Sequence, residues 1–309
     1  MRIAVADIGT NSTRLLVAEL EDGRVSAELE RESEVTRLGR DVDAGGALSQ
    51  EGMERVAATL EAYQRLVERH GVERRVAVLT SAVRDATNGR EFAQRIRDRF
   101  GFEPHILSGD DEARFTFLGA TSERAGGEEP TLVIDIGGGS TETVIGIAGR
   151  EPDFHVSNQA GVVRQTERHI HHDPPRRGEL EALAADVRAI FLDAIPAERR
   201  RAIRHAIAVA GTATSLGAIA QELDPYDPER VHGYRIARAE CERILGRLAA
   251  IPLQERRRVK GLHPDRAPTI VAGVVILLEV LDLFGLGEVE VSEHDILRGA
   301  ALALAPPTA

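Results

Sequence analysis

The chain has 309 residues, of which 42% are apolar and 29% charged, a balance typical of a globular protein with material for about two domains. The formal net charge of −11 argues against a nucleic-acid coat protein, although a local cationic channel for a polyanion is compatible with it. Cys241 is the single cysteine, which excludes an internal disulfide, so we expect a reducing compartment, the cytoplasm.

Neither a secretory leader nor a membrane span is expected. The first apolar run is four residues long and ends before Asp7, and the apolar segment 270–287 contains Glu279 and Asp282, which favours a buried helix. Lys260 is the single lysine and stands in RRVKGL, so the chain lacks the lysine pattern of a Walker-type NTPase site.

The first half of the chain predicts alternating strands and helices. Ser49, Gly71 and Gly101 provide helix caps, Asp-Gly in EDGR (21–24) indicates a hairpin, and Ser108 has capping-box spacing. The predicted strands are 2–6, 14–20, part of 25–37, 74–80 and 104–107, and the predicted helices are 50–70, 90–100 and 110–121.

The second half repeats this pattern after ERAGGEEP (123–130), which has the composition of a linker. Two strands joined by a glycine turn are predicted within 131–149, a strand at 205–211, and helices near 161–171, 178–195, 212–222, 236–250, 267–284 and 295–305. We therefore predict an α/β protein with domains at 1–124 and 125–309, whose last helix is able to pack back on the first domain.

An internal repeat contains residues that are suited to binding phosphate. ADIGTNSTRLLVAEL (6–20) aligns without a gap with IDIGGGSTETVIGIA (134–148), 128 residues further on. Glycines let successive backbone N–H groups approach a phosphate, and Thr10, Ser12, Ser140 and Thr141 add hydroxyl donors. A hairpin with a bulge would explain Gly137–Gly139 alone, but the repeat favours a pair of phosphate loops across a cleft.

The acid that opens each loop points to a metal ion. Asp7 and Asp135 would repel a bare phosphate, so they predict a divalent cation, Mg²⁺. Turn capping is the alternative role of these two residues, and it is compatible with metal binding.

Two other segments offer catalytic groups. SGDDEARF (108–115) has three consecutive acids, of which one is expected to point inward because helical neighbours diverge by about 100°. A favourable helix dipole would explain the same acids. TSAVRDATN (80–88) follows a strand and offers Ser81, Arg84, Asp85 and Asn88, with a polar loop capped at Asn88 as the alternative.

HIHHDPP (169–175) invites a metal interpretation, but without an H-E-x-x-H helix or cysteine partners a solvated loop or a subunit contact is favoured. The roles of His169, His171 and His172 stay open. Arg164, in GVVRQTER, is a further candidate for the cleft.

Taken together, DIGTNSTRLL, LTSAVRDATN, SGDDEARF, DIGGGSTE, GTATSL and YDPERVHG resemble the exopolyphosphatase and guanosine pentaphosphate phosphohydrolase family. The resemblance runs from residue 3 to about residue 303. It implies two ribonuclease-H-like domains of the actin/sugar-kinase/Hsp70 superfamily around an interdomain cleft. It also implies Mg²⁺-dependent hydrolysis of a terminal phosphate, a homodimer, and no nucleic-acid or membrane partner. The chain is similar to short members that lack C-terminal helical domains.

The resemblance also assigns roles. It makes Glu112 the general base that activates water, places Mg²⁺ at Asp135 and Glu142, and leaves Asp110 and Asp111 as cap and dipole residues. It places Arg14, Arg84 and Arg266 along the phosphate path. The other phosphate contacts that we expect are Gly9, Thr10, Asn11, Ser12, Gly137, Gly138, Gly139, Ser140, Thr141, Gly211 and Thr212. SEHDILRGA departs from the family's glycine-leucine-arginine-glutamate pattern, so the role of Arg298 stays open.

Three functions are compatible with these residues. We favour an exopolyphosphatase over a guanosine pentaphosphate phosphohydrolase, which would need a pocket for the base. A superfamily kinase or ATPase is the third, and the lone Gly211 in AVAGTATSL weakens it because adenosine sites of such proteins are rich in paired glycines. A non-catalytic phosphate sensor is disfavoured by Glu112.

Overall fold

The structure is a computed structural model that describes residues 1–40 and 42–305, with only the backbone for residues 43 and 44. In chain order, the first elements are β1 (Arg2–Ile8), β2 (Thr13–Glu21), β3 (Arg24–Glu34), α1 (Val42–Gly45), α2 (Gln50–Arg69), β4 (Arg74–Leu79), α3 (Ser81–Asp85), α4 (Gly89–Phe100), β5 (Glu103–Ile106) and α5 (Gly109–Thr121). They continue with β6 (Thr131–Ile136), β7 (Thr141–Gly146), β8 (Phe154–Asn158), α6 (Val162–His169), α7 (Arg177–Ala194), α8 (Ala197–Arg201), β9 (His205–Val209) and α9 (Ala210–Ala220). The last are α10 (Pro228–Val231), β10 (Arg235–Ala237), α11 (Arg238–Ala250), α12 (Leu253–Arg256), a 3₁₀ turn (Pro264–Arg266), α13 (Ile270–Phe284), β11 (Glu288–Val291) and α14 (Ile296–Ala303).

The chain forms two compact units. Unit 1 comprises Met1–Glu123 and the segment from His294 onward, and unit 2 comprises Arg124–Glu293. The structure thus places α14 in unit 1, whereas the sequence-based boundaries assigned 125–309 to the second domain; residues 306–309 of that range lie outside the described residues.

Unit 1 is built on a sheet with strand order β3-β2-β1-β4-β5. β1 pairs antiparallel with β2 and parallel with β4, and its residues are almost all buried because helices cover both faces. One face packs on α2 and α4 through Val56, Leu60 and Phe92, and the other packs on α14 through Ile296 and Leu297. The two faces therefore have separate apolar clusters.

Unit 2 repeats this arrangement with the order β10-β11-β9-β6-β7-β8. β6 pairs antiparallel with β7 and parallel with β9, as β1 does with β2 and β4. The central core lies around α13, which is buried along nearly its whole length; the expectation of a buried helix in 270–287 is confirmed. Among the described residues, no helix combines the length and apolarity needed to cross a membrane.

Predicted helix caps and the predicted hairpin turn of unit 1 are present in the structure. The Ser49 and Ser108 side chains accept N–H groups at the starts of α2 and α5, and Gly101 ends α4 in the left-handed conformation. The Asp-Gly hairpin is confirmed, with positive φ at Asp22 and Gly23.

Among the described residues, nine short elements were absent from the sequence-based prediction: the strands β8, β10 and β11, the helices α1, α3, α8, α10 and α12, and the 3₁₀ turn. The predicted loop at 80–88 is helical over Ser81–Asp85, and Asn88 binds the backbone of Leu48 rather than capping α4 with its side chain. β10 and β11 have three and four residues, too short for a periodic signal.

Candidate functional site

The first glycine loop is a tight turn between β1 and β2. The N–H of Gly9 donates to the carbonyl of Ser12 at 2.9 Å, which closes the turn. The carbonyls of Thr10 and Asn11 accept N–H groups from segment 37–39, both at 2.9 Å. A remote segment thus holds the backbone of this loop from one side.

The second loop closes in the same way, between β6 and β7. The N–H of Gly137 donates to the carbonyl of Ser140 at 3.0 Å. The carbonyls of Gly137, Gly138 and Gly139 accept N–H groups of Val162 (2.9 Å), Val163 (2.8 Å) and Gly161 (3.2 Å) at the start of α6. Residue 161 must be glycine, because a Cβ there would lie 2.3 Å from the Gly138 carbonyl oxygen.

The hydrogen bonds that hold these carbonyls also fix the direction of the N–H groups in the two loops. In a trans peptide the C=O and N–H point in opposite directions, so a carbonyl held from behind turns the next residue's N–H to the other side of the loop. The N–H groups of Asn11, Ser12, Gly138, Gly139 and Ser140 find no acceptor among the described residues. Each loop therefore presents successive unsatisfied donors, the arrangement that binds phosphate oxygens.

Asp7 lies at the end of β1 and is paired with Arg14. Arg14 donates to Asp7 Oδ2 through Nε at 2.9 Å and through Nη2 at 2.5 Å, and it also binds Asp295 through Nη1. Burial raises the pKa of Asp7, with Arg14 opposing that shift. The pKa of Asp295 is lowered: burial opposes this shift, but the positive charge of Arg14 and other donors outweigh it. Arg14 thus serves two buried acids, and its predicted contact with phosphate stays a prediction.

Asp135 and Glu142 are direct cross-strand partners on β6 and β7, so their side chains share one face. Both are buried, and Glu142 Oε1 accepts a hydrogen bond from Ser157 Oγ at 2.7 Å. Like charges in this position repel each other, and carboxylate oxygens are preferred ligands of hard divalent cations. The donor set therefore fits Mg²⁺, which Asp135 and Glu142 would hold together in unit 2.

Glu112 is the buried acid of the three at the start of α5. Asp110 and Asp111 are exposed, as the divergence of helical neighbours predicts. Arg84, on α3, donates through Nη1 to Glu112 Oε2 at 2.9 Å and to the Leu107 carbonyl at 3.0 Å. This bond holds the Glu112 carboxylate in one orientation, a geometry that suits the role of general base expected from the sequence.

Three further residues predicted to contact phosphate, Gly211, Thr212 and Arg266, lie together in unit 2. The guanidinium of Arg266 occupies the space beside Gly211, where a Cβ would lie 1.3 Å from Nη1. Thr212 is buried against Gly273 of α13. Ala210, at the start of α9, has φ +63°, a conformation that costs free energy and persists when the surroundings enforce it. The guanidinium of Arg266 therefore lies beside the first turn of α9, directly after β9.

The residues whose roles the sequence left open have structural partners. His169 Nε2 binds Asp186 at 3.0 Å and His172 Nδ1 binds Glu179 at 2.8 Å, so both fix the segment that leads into α7. Arg298 binds Glu28 at 3.0 Å and Glu123 at 2.6 Å and ties α14 to unit 1.

Sequence reasoning missed the supports of the two loops. Gly39 and Gly161 lie outside the repeated motif, and each closely faces a loop: a Cβ on Gly39 would lie 2.3 Å from Thr10 Cγ2. The glycine that directly precedes a predicted helix in QAGVV was the available signal for the second support. No sequence signal pointed to Asp295, because its partner Arg14 is 281 residues away along the chain.

The fold defines a class of protein. Each unit has the mixed sheet and flanking helices of a ribonuclease-H-like domain, and the chain is an α/β protein with two such domains of the actin-like superfamily, as the sequence predicted.

Comparison with known proteins identifies the family. The family model of the Ppx/GppA phosphatase family matches residues 4–304. Exopolyphosphatase 2 of Mycobacterium tuberculosis is 35% identical, and the match covers 98% of this chain and 98% of that protein. Among solved structures, the Aquifex aeolicus Ppx/GppA family member is 28% identical with a TM-score of 0.81, covering 98% of this chain and 97% of that one. An exopolyphosphatase from Cytophaga hutchinsonii is 25% identical with a TM-score of 0.89, covering 99% of each chain. The chain belongs to the Ppx/GppA phosphatase family and is a phosphoanhydride hydrolase.

Proposed function

We propose that this protein is an exopolyphosphatase that removes the terminal phosphate of linear polyphosphate, with Mg²⁺ as cofactor, and releases orthophosphate. The observation that carries the proposal is the pair of glycine loops whose carbonyls are held from behind, while their N–H groups lack acceptors within the part of the chain that the structure describes. Such donors suit a chain of phosphates, in which every unit offers anionic oxygens. The similarity to an exopolyphosphatase over nearly the whole chain supports the same substrate.

The residues divide the reaction between them. Glu112, oriented by Arg84, accepts a proton from water, and the water oxygen attacks the terminal phosphorus as the bond to the bridging oxygen breaks. The loop N–H groups stabilise the charge on the equatorial phosphoryl oxygens without having to reorient. Mg²⁺ at Asp135 and Glu142 would neutralise phosphate charge.

A side-by-side assay tests the substrate. Purified protein is incubated with short polyphosphate, long polyphosphate, guanosine pentaphosphate or ATP, with Mg²⁺ or with excess chelator. We expect Mg²⁺-dependent orthophosphate release from polyphosphate. Release of orthophosphate from guanosine pentaphosphate alone would establish the nucleotide as the substrate instead. Phosphate transfer from ATP to an acceptor would indicate a kinase. Full activity in the presence of chelator would exclude a requirement for Mg²⁺.

The assigned base is tested by Glu112→Gln, which keeps the size of the side chain and an acceptor for Arg84 but removes the basic carboxylate. We expect kcat on polyphosphate to fall about 100- to 10,000-fold with little change in KM or in thermal stability. Asp111→Asn, the same chemical change at an exposed neighbour in the same helical turn, is the matched control and should keep wild-type kcat. Normal turnover by Glu112→Gln would remove Glu112 from the mechanism.

A further inference from the structure

The back of the second glycine loop rests on the first turn of α6. Three backbone N–H groups of residues 161–163 each bind one carbonyl of Gly137–Gly139. The Thr141 hydroxyl adds a bond of 2.7 Å to the Ala160 carbonyl, so the loop and this support are connected at both ends. The loop is therefore only as well positioned as the support behind it.

Arg164 adds a charged donor to this support. Its side-chain Nε donates to the Gly139 carbonyl at 2.9 Å, the same oxygen that accepts the Gly161 N–H at 3.2 Å. Its backbone N–H lies 3.4 Å from the Gly138 carbonyl. Arg164 thus contacts the loop from behind, on the side opposite to the free donors.

The peptide that accepts this bond also carries a donor of the proposed phosphate site. The carbonyl of Gly139 and the N–H of Ser140 belong to one planar peptide unit, and they point in opposite directions. A charge-assisted hydrogen bond to the carbonyl polarises the peptide and makes its N–H a stronger donor. The bond also prevents the peptide from rotating, which would turn the N–H away from an anion.

We propose that Arg164 is a positioning residue of the phosphate site, which acts through the Gly139–Ser140 peptide to fix and strengthen the Ser140 N–H. The inference rests on the proposed function, because the anion it serves is the phosphoryl group. It differs from the earlier expectation that Arg164 faces the substrate: here the guanidinium works from behind the loop.

The test compares Arg164→Ala, Arg164→Lys and the control Arg168→Ala in the full-length protein. Arg168 is on the same helix, and its ion pair with Asp186 is on the surface. We measure kcat and KM on polyphosphate, and the Kd of inorganic phosphate by calorimetry. For Arg164→Ala we expect the Kd of phosphate to rise about tenfold and kcat/KM on polyphosphate to fall by at least the same factor, because the Ser140 N–H binds the phosphoryl group in both the bound state and the transition state. Arg164→Lys should recover most of the affinity, because it keeps the charge and a donor, and Arg168→Ala should match wild type.

Each result has a defined meaning. Unchanged Kd and kcat/KM in Arg164→Ala would overturn the inference, as would an equal loss in Arg168→Ala. Wild-type protein that binds phosphate but leaves polyphosphate intact would remove the proposed substrate, while the Kd series would still test Arg164. Wild-type protein that neither binds phosphate nor hydrolyses polyphosphate would overturn both.

Discussion

The buried acids of unit 1 differ in the cations that surround them. Glu112 has Arg84 as its partner, whereas Asp7 and Asp295 share the single guanidinium of Arg14. Asp295 also interacts with the positive charge of Arg31, which together with Arg14 outweighs the effect of burial and lowers the pKa of Asp295. Burial raises the pKa of Asp7 despite its bonds to Arg14. The metal role of Asp7 stays a prediction.

Glu179 allows a prediction of how the stability of the protein depends on pH. The Glu179 carboxylate forms hydrogen bonds with the ring nitrogen of His172 and with the backbone N–H groups of Arg176 and His171. These bonds, the His172 bond foremost, lower the pKa of Glu179 from an ordinary 4.5 to about 2. A lowered pKa means that the stabilisation is complete above the unfolded value and is lost as the pH falls from about 4.5 towards 2. The Tm of Glu179→Gln, measured by circular dichroism, should therefore fall less than the wild-type Tm as the pH is lowered through this interval.

Glu181→Gln is the matched control for this prediction, because Glu181 is an exposed acid on the same helix and pairs with the exposed Arg177. Its Tm should follow the wild-type pH dependence. Parallel curves for wild type and Glu179→Gln would refute the assigned role of Glu179.

At the scale of elements, helices α5 and α14 approach until their backbones touch. A Cβ on Gly119 would lie 1.9 Å from the Asp295 carbonyl oxygen, and one on Gly299 would lie 1.7 Å from that of Phe115. Glycine is needed on both helices at this crossing because the close approach leaves no space for a side chain. The same crossing places Asp295 against Arg14.

Gly119→Ala should consequently destabilise unit 1 by about 1–3 kcal/mol, since the neighbouring atoms are backbone and cannot move aside cheaply. Denaturant titration of the purified variant measures the loss. Gly246→Ala is the control: it makes the same change inside helix α11, where a Cβ would meet open space, and it should be neutral or stabilise by up to about 1 kcal/mol. Equal effects of both substitutions would show that the crossing tolerates a methyl group.

At the scale of the whole molecule, the chain leaves unit 1 after Glu123 and returns to it at His294. The returning segment covers one face of the unit 1 sheet with Ile296, Leu297, Ala300 and Ala301, all buried. Unit 1 is therefore completed by a segment that is separated from its main part by the 170 residues of unit 2.

Truncation after Glu293 should leave unit 1 unable to fold stably. Each large apolar side chain lost contributes about 1.5–3 kcal/mol, and Arg14 loses Asp295 as well. Limited proteolysis with mass spectrometry should show rapid digestion within residues 1–123 while a fragment near 124–293 persists. Equal protection of residues 1–123 in the truncated and full-length chains would contradict this prediction.

Much of this fold could be predicted from local sequence. β1, β2, β6 and α13 have strong apolar patterns, and caps such as Ser108 follow from side-chain chemistry within a few residues. Helical geometry predicted that one of the three acids at the start of α5 points inward, and the family resemblance identified that acid as Glu112. β8, β10 and β11 could not be predicted, because the formation of such short strands depends on the neighbouring strands with which they pair.

The sequence by itself determined the duplicated glycine loops, the acid that opens each of them and the resemblance to a phosphatase family, since these are contained in contiguous residues. Only the tertiary structure decided how the loops are held: by 37–39 in unit 1, and by 161–164 in unit 2. It also decided that α14 belongs with unit 1 and that Asp295 meets Arg14. The physical reason is that a hydrogen bond or ion pair between distant segments forms only after burial has brought them together, and local patterns carry no record of that partner.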